Sequence, residues 1–145
     1  MTRKNESEVA MDFFSKSEIS SHNMNSLFQF GERELTDNMR ECLENCFQCH
    51  RACEQLIPHC LAMSGKHASR EHIEILSLCA DICRTSAHFM MWNSDLHHRV
   101  CGVCAEVCMK CAEDCEQMVG ADEMMLACAQ ICRKCSASCS MMSLH

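Results

Sequence analysis

Cysteines recur at every third or fourth position in three stretches of the sequence. The stretches are CLENCFQCHRAC at 42–53, CGVCAEVCMKCAEDC at 101–115 and CAQICRKCSASC at 128–139. A spacing of three or four residues places side chains on one face of an α-helix. Thiols bind soft metal ions, form disulfides or act as nucleophiles. The spacing therefore indicates a helical surface lined with sulfur, and the question is which chemistry it serves.

The elements that carry these cysteines are predicted to be helices. The sequence has four glycines and one proline, and it shows no sustained alternation of β-branched residues. We predict helices at about 38–63, 70–92, 96–119 and 122–142, the last starting at Asp122 or Glu123. The short connections force neighbouring helices to run antiparallel. The predicted fold is all-α, an antiparallel up-down-up-down four-helix bundle with a cysteine-lined core.

The predicted helix ends carry capping residues. Asn38 with Glu41 fits a capping box for the first helix, and Thr36 or Asp37 is an alternative N-cap. Ser69 fits the N-cap of the second helix. A glycine at position 120 suits the residue that follows the third helix.

Pro58 violates the helical pattern of the first helix. Proline lacks the backbone N–H and clashes with the preceding turn. We therefore expect a kink at Pro58 or an earlier end of the helix, which makes Cys60 and Met63 the least secure members of the sulfur stripe.

Each predicted helix carries one stripe of sulfur. The stripe of the second helix has only two cysteines and is continued by Ser86 and Met90. Beside the stripes lie aliphatic residues, such as Leu78 and Val103, that are expected to seal the seams between helices. The candidate thiol ligands are all sixteen cysteines: Cys42, Cys46, Cys49, Cys53, Cys60, Cys79, Cys83, Cys101, Cys104, Cys108, Cys111, Cys115, Cys128, Cys132, Cys135 and Cys139.

Composition and charge exclude several classes of partner. The formal charge is −7 and the basic residues are scattered, so no nucleic-acid partner is expected. No apolar run approaches the roughly 20 residues of a membrane span, so no membrane is expected. Residues 1–25 lack the apolar region of a secretory signal, which predicts a cytoplasmic protein. Cytosolic thiols are kept reduced, and this disfavours disulfides.

The length of 145 residues predicts a single domain, which follows a polar segment. Residues 1–35 form a polar N-terminal segment, which is either one short helix packed on the bundle or a flexible tail. Residues 36–145 form the four-helix bundle.

Zinc and iron–sulfur clusters remain alternatives for the thiols. The spacing CxxC occurs at 46/49, 101/104, 108/111 and 132/135. Zinc sites usually pair two such motifs from loops or turns, whereas here each belongs to a longer helical series. Iron–sulfur clusters favour CxxCxxC loops, and the sequence has none.

Cu(I) fits the pattern best, because it is soft and accepts two or three thiolate ligands. Seven CxxxC pairs occur, at 42/46, 49/53, 79/83, 104/108, 111/115, 128/132 and 135/139. Each pair places two sulfurs on the same helical face, where they can hold one ion. If each thiolate bridges two ions, the capacity is on the order of 15 copper ions per chain.

Methionines and histidines gather at the two predicted ends of the bundle. Antiparallel helices bring Met39, Met90, His97 and Met142 to one end, and these are candidate copper ligands. Met118 is a further candidate at the other end, which also gathers His59, Met63, His72, Met124 and Met125. Thioether and imidazole bind Cu(I) more weakly than thiolate does, so these side chains are expected to pass ions inward.

With fourteen of these sixteen cysteines in CxxxC pairs, the sequence resembles the bacterial copper storage proteins over residues 36–145. The resemblance implies a four-helix bundle that holds many Cu(I) ions along its axis and assembles as a homotetramer. It also implies the cytosolic type, which has no export signal. The expected function is multi-site Cu(I) binding and storage, and no catalytic residues are predicted.

A zinc or iron–sulfur thiol protein, structural or redox-active, is the alternative function. A redox enzyme would need a nucleophilic Cys–His pair. Cys49–His50 and His59–Cys60 are adjacent in sequence, and adjacent helical residues do not face each other. The sequence therefore predicts a binding protein and not an enzyme.

Overall fold

The computed structural model describes residues 35–144 of the chain. Four α-helices account for most of them: α1 (Asp37–Met63), α2 (Arg70–Met91), α3 (His97–Gln117) and α4 (Glu123–Ser143). A single 3-10 turn, Gly65–Ala68, connects α1 to α2. The prediction of an all-α four-helix bundle is confirmed. The interpretation of the N-terminal segment falls on residues 1–34, which lie outside the described residues.

Each helix packs against its neighbours in sequence, and α1 closes the ring by packing against α4. Side-chain contacts give the directions. Cys42 contacts Cys139 and Cys53 contacts Cys128, so α1 and α4 run in opposite directions. The same reversal relates the other neighbouring pairs, and the order up-down-up-down follows.

Side-chain caps start three of the helices. The Thr36 hydroxyl accepts a hydrogen bond from the Met39 amide at 3.2 Å, so the prediction of Asn38 as N-cap is wrong and the alternative holds. Ser69 caps α2 as predicted. Asp122 caps α4 by accepting from the Met125 amide at 3.0 Å. A cap hydroxyl or carboxylate satisfies amides that have no partner within the first helical turn.

Pro58 does not end α1, which continues to Met63, so the expectation of an early end is wrong. Leu56 and Cys60 on either side of the proline are 2% and 0% exposed. Burial of these side chains stabilises the last turns and offsets the lost hydrogen bond. The Pro58 side chain itself is exposed.

The connection between α3 and α4 differs from the prediction by one to two residues. Helix α3 ends at Gln117 with Met118 as its C-cap, and Gly120 lies two residues beyond that cap. Gly120 has a φ of +82°, a left-handed conformation that favours glycine. It therefore shapes the turn itself and is not the residue directly after the helix.

The core of the bundle is made of sulfur, alanine and a few large aliphatic side chains. Leu56 and Leu76 are among its largest fully buried members. Leu35, at the start of the described residues, is also buried against this core. The expected aliphatic seal is partial, because Leu78 and Val103 are 50% and 51% exposed. Among residues 35–144, no helix is long and apolar enough to cross a membrane.

Candidate metal centre

All sixteen cysteines are buried inside the bundle, and all are free thiols. Fifteen have 0% exposure, and Cys128 has 3%. The helical period accounts for this, because one face of each helix points at the axis. The four faces then meet in a single sulfur array.

Most of the close sulfur contacts cross between helices. The Sγ atoms of Cys83 and Cys108 are 3.5 Å apart, and Cys49 lies 3.6 Å from Cys132. Another contact joins Cys135 and Cys46 at 3.7 Å. The thiols therefore form a continuous network, and they are not separate pairs on separate helices.

Contacts within the CxxxC pairs are also present. The Sγ–Sγ distance is 3.8 Å in the pair 104/108 and 4.0 Å in both 128/132 and 135/139. These pairs present two sulfurs to the same part of the axis, as the spacing predicts. Each of them also contacts a neighbouring helix, so an ion held by one pair lies next to further thiols.

Four groups of four sulfurs are compact enough to surround one ion, and we call them cages 1 to 4. Within each cage the four Sγ atoms lie within 4.8 Å of one another, and every contributing cysteine is buried. Cage 1 contains Cys46, Cys104, Cys135 and Cys139. Cage 2 contains Cys49, Cys79, Cys83 and Cys108; cage 3 contains Cys49, Cys53, Cys79 and Cys132; cage 4 contains Cys83, Cys104, Cys108 and Cys135.

The pKa values of the thiols move in opposite directions within the network. Hydrogen bonds with Cys108 and Cys132 hold the pKa of Cys49 below its usual range. Hydrogen bonds with Cys111 and Cys128, reinforced by burial, raise the pKa of Cys53. One thiolate is thus stabilised by neighbouring S–H donors, and the next deprotonation is opposed. The metal-free core therefore keeps most of its thiol protons, and metal cations displace these protons when they bind.

One end of the bundle gathers the predicted methionine and histidine ligands. Met39, Met90, His97 and Met142 are buried there, with exposures of 7%, 0%, 7% and 5%. The Nδ1 atom of His97 is buried without a hydrogen-bond partner. Burial, with the neighbouring His98 ring, lowers the pKa of His97. A neutral imidazole with a free nitrogen is the form that binds metal.

At the opposite end, His72 connects Cys60 with Asp114. The sequence places His72 at this end, but it does not predict the contact with Asp114. Nε2 of His72 lies 3.3 Å from the Cys60 sulfur, and its Nδ1 hydrogen-bonds to the Asp114 carboxylate. The Nδ1–H group donates this hydrogen bond to the carboxylate, which leaves Nε2 as the acceptor that faces the thiol. His72 is 1% exposed. One sequence signal could have indicated the His72–Asp114 contact: Asp114 directly precedes Cys115, which belongs to the axial stripe.

Negatively charged groups lie near the Cys60 thiol at this end of the bundle. Burial, followed by the charges of Asp122, Cys128 and Asp114, raises the pKa of Cys60 to about 11. Asp122 also accepts a hydrogen bond from His59 at 2.6 Å. Met118 is partly buried and packs against the core at the same end.

Thiolate, thioether and imidazole are the donors that soft d10 cations such as Cu(I) prefer. The fold and the site thus define a metal-binding bundle. The family model described as Csp, copper storage protein, matches residues 35–144. The chain belongs to the copper storage protein family.

Three solved structures are similar to the chain. The Nmul_A1745 protein of Nitrosospira multiformis is 41% identical with a TM-score of 0.70, over 75% of this chain and 98% of that chain. Cu(I)-bound BsCsp3 of Bacillus subtilis is 29% identical with a TM-score of 0.68, over 74% and 99%. A cytosolic copper storage protein from Streptomyces lividans, with five coppers, is 27% identical with a TM-score of 0.67, over 75% and 94%.

Proposed function

We propose that this protein binds and stores many Cu(I) ions along the axis of its bundle. The observation that carries the proposal is the burial of all sixteen thiols in one continuous network. A structural core needs no such composition, because alanine, valine and leucine fill a core without any risk of oxidation. A single structural metal site needs only about four of the thiols.

The charge balance of the core favours a monovalent cation. When Cu(I) replaces the proton of a buried thiol, one positive charge leaves as another enters. The net charge of the core therefore does not change with loading, and each bound ion compensates the thiolate that replaces a thiol. With thiolates that bridge neighbouring ions, the capacity approaches about one copper per cysteine.

The two ends of the bundle hold weaker ligands that connect this core with solvent. We assign Met39, Met90, His97 and Met142 to copper binding at one end, and the buried, unpartnered Nδ1 of His97 supports that assignment. Met118 is assigned to the other end, where Cys60 also lies. Ions held by thioether or imidazole exchange faster than ions held by bridging thiolates, so the ends serve entry and release.

We assign the protein to the cytoplasm and to a binding role, not a catalytic one. The similar Streptomyces lividans protein is described as cytosolic, and reduced thiols suit that compartment. We also propose a homotetramer, as the family resemblance implies. Half-exposed apolar side chains on α2 and α3, such as Leu78 and Val103, offer a surface for subunit contact.

The test is an anaerobic titration of the fully reduced protein with Cu(I) against a chromophoric Cu(I) chelator. Ten or more ions bound before the chelator competes, a threshold below the capacity of about one ion per thiol, are expected. Saturation at one to four ions would overturn the proposal, because that range corresponds to an isolated metal site. Size-exclusion chromatography with light scattering tests the tetramer.

A variant with four serines in α3 tests the axial location of the ions. Replacing Cys104, Cys108, Cys111 and Cys115 removes four of sixteen thiols, so the capacity should fall by about a quarter. Each serine hydroxyl can donate a hydrogen bond to a carbonyl one turn earlier in the helix, so no buried hydroxyl lacks a partner and we expect the bundle to fold. Circular dichroism checks the helix content.

The matched control carries four changes on the outer face of the same helix. Glu106, Lys110, Glu113 and Gln117 are exposed, and their replacement by alanine should leave the capacity unchanged. An equal loss in both variants would place the copper outside the axis.

A further inference from the structure

The four cages have the dimensions of a different kind of metal site. A tetrahedral zinc site with Zn–S bonds of about 2.3 Å has sulfur–sulfur edges of about 3.8 Å. In cage 2, Cys108 lies 4.0, 3.7 and 3.5 Å from Cys49, Cys79 and Cys83, and the Cys49–Cys79 edge is 3.8 Å. Four of the six sulfur–sulfur edges of cage 2 thus lie near the tetrahedral value, and the other two lie within 4.8 Å.

The other cages show similar edges. In cage 4, Cys83 lies 3.8, 3.5 and 3.9 Å from Cys104, Cys108 and Cys135. In cage 1, the sulfurs of Cys46 and Cys139 are 3.5 Å apart. Each cage draws its sulfurs from three helices, so tertiary packing creates it and no CxxC motif encodes it.

Shared cysteines limit how many cages can be filled together. Cages 2 and 3 share Cys49 and Cys79, and cage 4 shares two sulfurs with cage 1 and two with cage 2. A tetrahedral ion uses all four sulfurs of its cage, so two cages that share a sulfur exclude each other. The combinations that remain are cages 1 and 2, cages 1 and 3, or cages 3 and 4. None of them contains a third cage.

We propose that the reduced, copper-free protein binds two divalent d10 cations of the zinc class per chain, each in a four-thiolate cage, and that Cu(I) displaces them. Each divalent ion releases four protons and leaves its cage with a net charge of −2. Neighbouring S–H groups donate to these thiolates and stabilise that charge. Each Cu(I) ion replaces one proton and adds no net charge. Its burial therefore costs less free energy than burial of a zinc cage with a charge of −2, and Cu(I) displaces zinc.

The test is an anaerobic titration of the reduced full-length protein with Zn(II) against a chromophoric zinc chelator. Saturation at two ions per chain is expected. A parallel titration with Co(II) counts only tetrahedral thiolate sites, through their d–d and charge-transfer absorption. Subsequent addition of Cu(I) should release both zinc ions to the chelator. No thiolate-bound Co(II), or zinc retained in the presence of excess Cu(I), would overturn the proposal.

Two single substitutions test whether the number of bound ions depends on which cages share a cysteine or only on the number of thiols. Cys49→Ser removes cages 2 and 3 and leaves cages 1 and 4, which exclude each other, so one ion should bind. Cys83→Ser removes cages 2 and 4 and leaves cages 1 and 3, which are compatible, so two ions should bind. Both cysteines are fully buried and belong to two cages each. Equal stoichiometry in the two variants would refute the cage assignment.

If Cys49→Ser or Cys83→Ser fails to fold, a second pair of variants repeats the comparison. Cys79→Ser should bind one ion and Cys108→Ser should bind two, by the same exclusion. In a Cu(I) titration all four variants should lose only about one ion each. Failure of the zinc prediction therefore leaves the copper titration unaffected, and the two proposals can fail separately.

Discussion

Adding a thiol at position 86 should enlarge the copper array. Ser86 continues the sulfur stripe of α2 after Cys79 and Cys83, is fully buried, and places its Oγ 3.3 Å from the Cys101 sulfur. Ser86→Cys therefore adds a seventeenth sulfur to a network of sixteen. With about one ion per bridging thiolate, the Cu(I) capacity should rise by about one ion per chain.

The cost of this substitution in the copper-free protein should be small. Sulfur is larger than oxygen by less than a methylene group, and overpacking by whole methylenes costs about 1–3 kcal/mol. We therefore expect the free energy of unfolding to change by less than about 1 kcal/mol. Urea denaturation under anaerobic conditions measures it, and thiol titration with a disulfide reagent in denaturant verifies the added cysteine.

Ser136→Cys is the matched control. Ser136 is also buried, at 4% exposure, but its hydroxyl donates to the Ala105 carbonyl at 2.8 Å and does not face the sulfur stripe. The new thiol should leave the Cu(I) capacity unchanged, while the lost hydrogen bond costs about 1 kcal/mol. Two outcomes would contradict a Cu(I) array that extends to position 86: no additional copper bound by Ser86→Cys in the chelator competition, or an equal gain in both variants.

The remaining predictions concern stability. The folded-state pKa of Cys60 is raised from 9.0 to about 11. Between these two pH values the unfolded chain binds fewer protons than the folded protein. The copper-free protein should therefore lose stability as the pH rises through this range. Anaerobic urea denaturation checks this, and Cys60→Ser should show a shallower loss. Thr36→Ala should lower the free energy of unfolding by about 1 kcal/mol because it removes the cap of α1, whereas Asn38→Ala should have little effect; equal effects would contradict the assigned cap. Pro58→Ala should raise the melting temperature, with up to about 3 kcal/mol gained from the restored helix; an unchanged temperature would show that α1 bears no strain there.

The helices and their sulfur faces could be predicted because both are local properties. Cysteines three or four residues apart share a face on any α-helix, and Ser69 caps α2 through its own sequence neighbours. The caps also show the limit of this reasoning. Thr36 and Asn38 are both good N-cap residues, and the choice depends on which backbone conformation the chain adopts before α1.

Pro58 shows how packing can override a local preference. The low helix propensity of proline predicts an end of the helix, but the neighbouring Leu56 and Cys60 are buried in the core. A few kcal/mol of lost propensity are offset when apolar side chains on the same turns leave water. Sequence alone does not give the size of that burial.

The sequence by itself determined that sulfur faces the bundle axis, since helical period and donor chemistry are written in residue types and spacings. Only the tertiary structure decided which sulfurs share an ion, because each cage joins residues from three helices whose relative heights no spacing encodes. The same holds for His72 between Cys60 and Asp114. Those three groups come from three helices, and their contacts depend on how the helices are staggered along the axis.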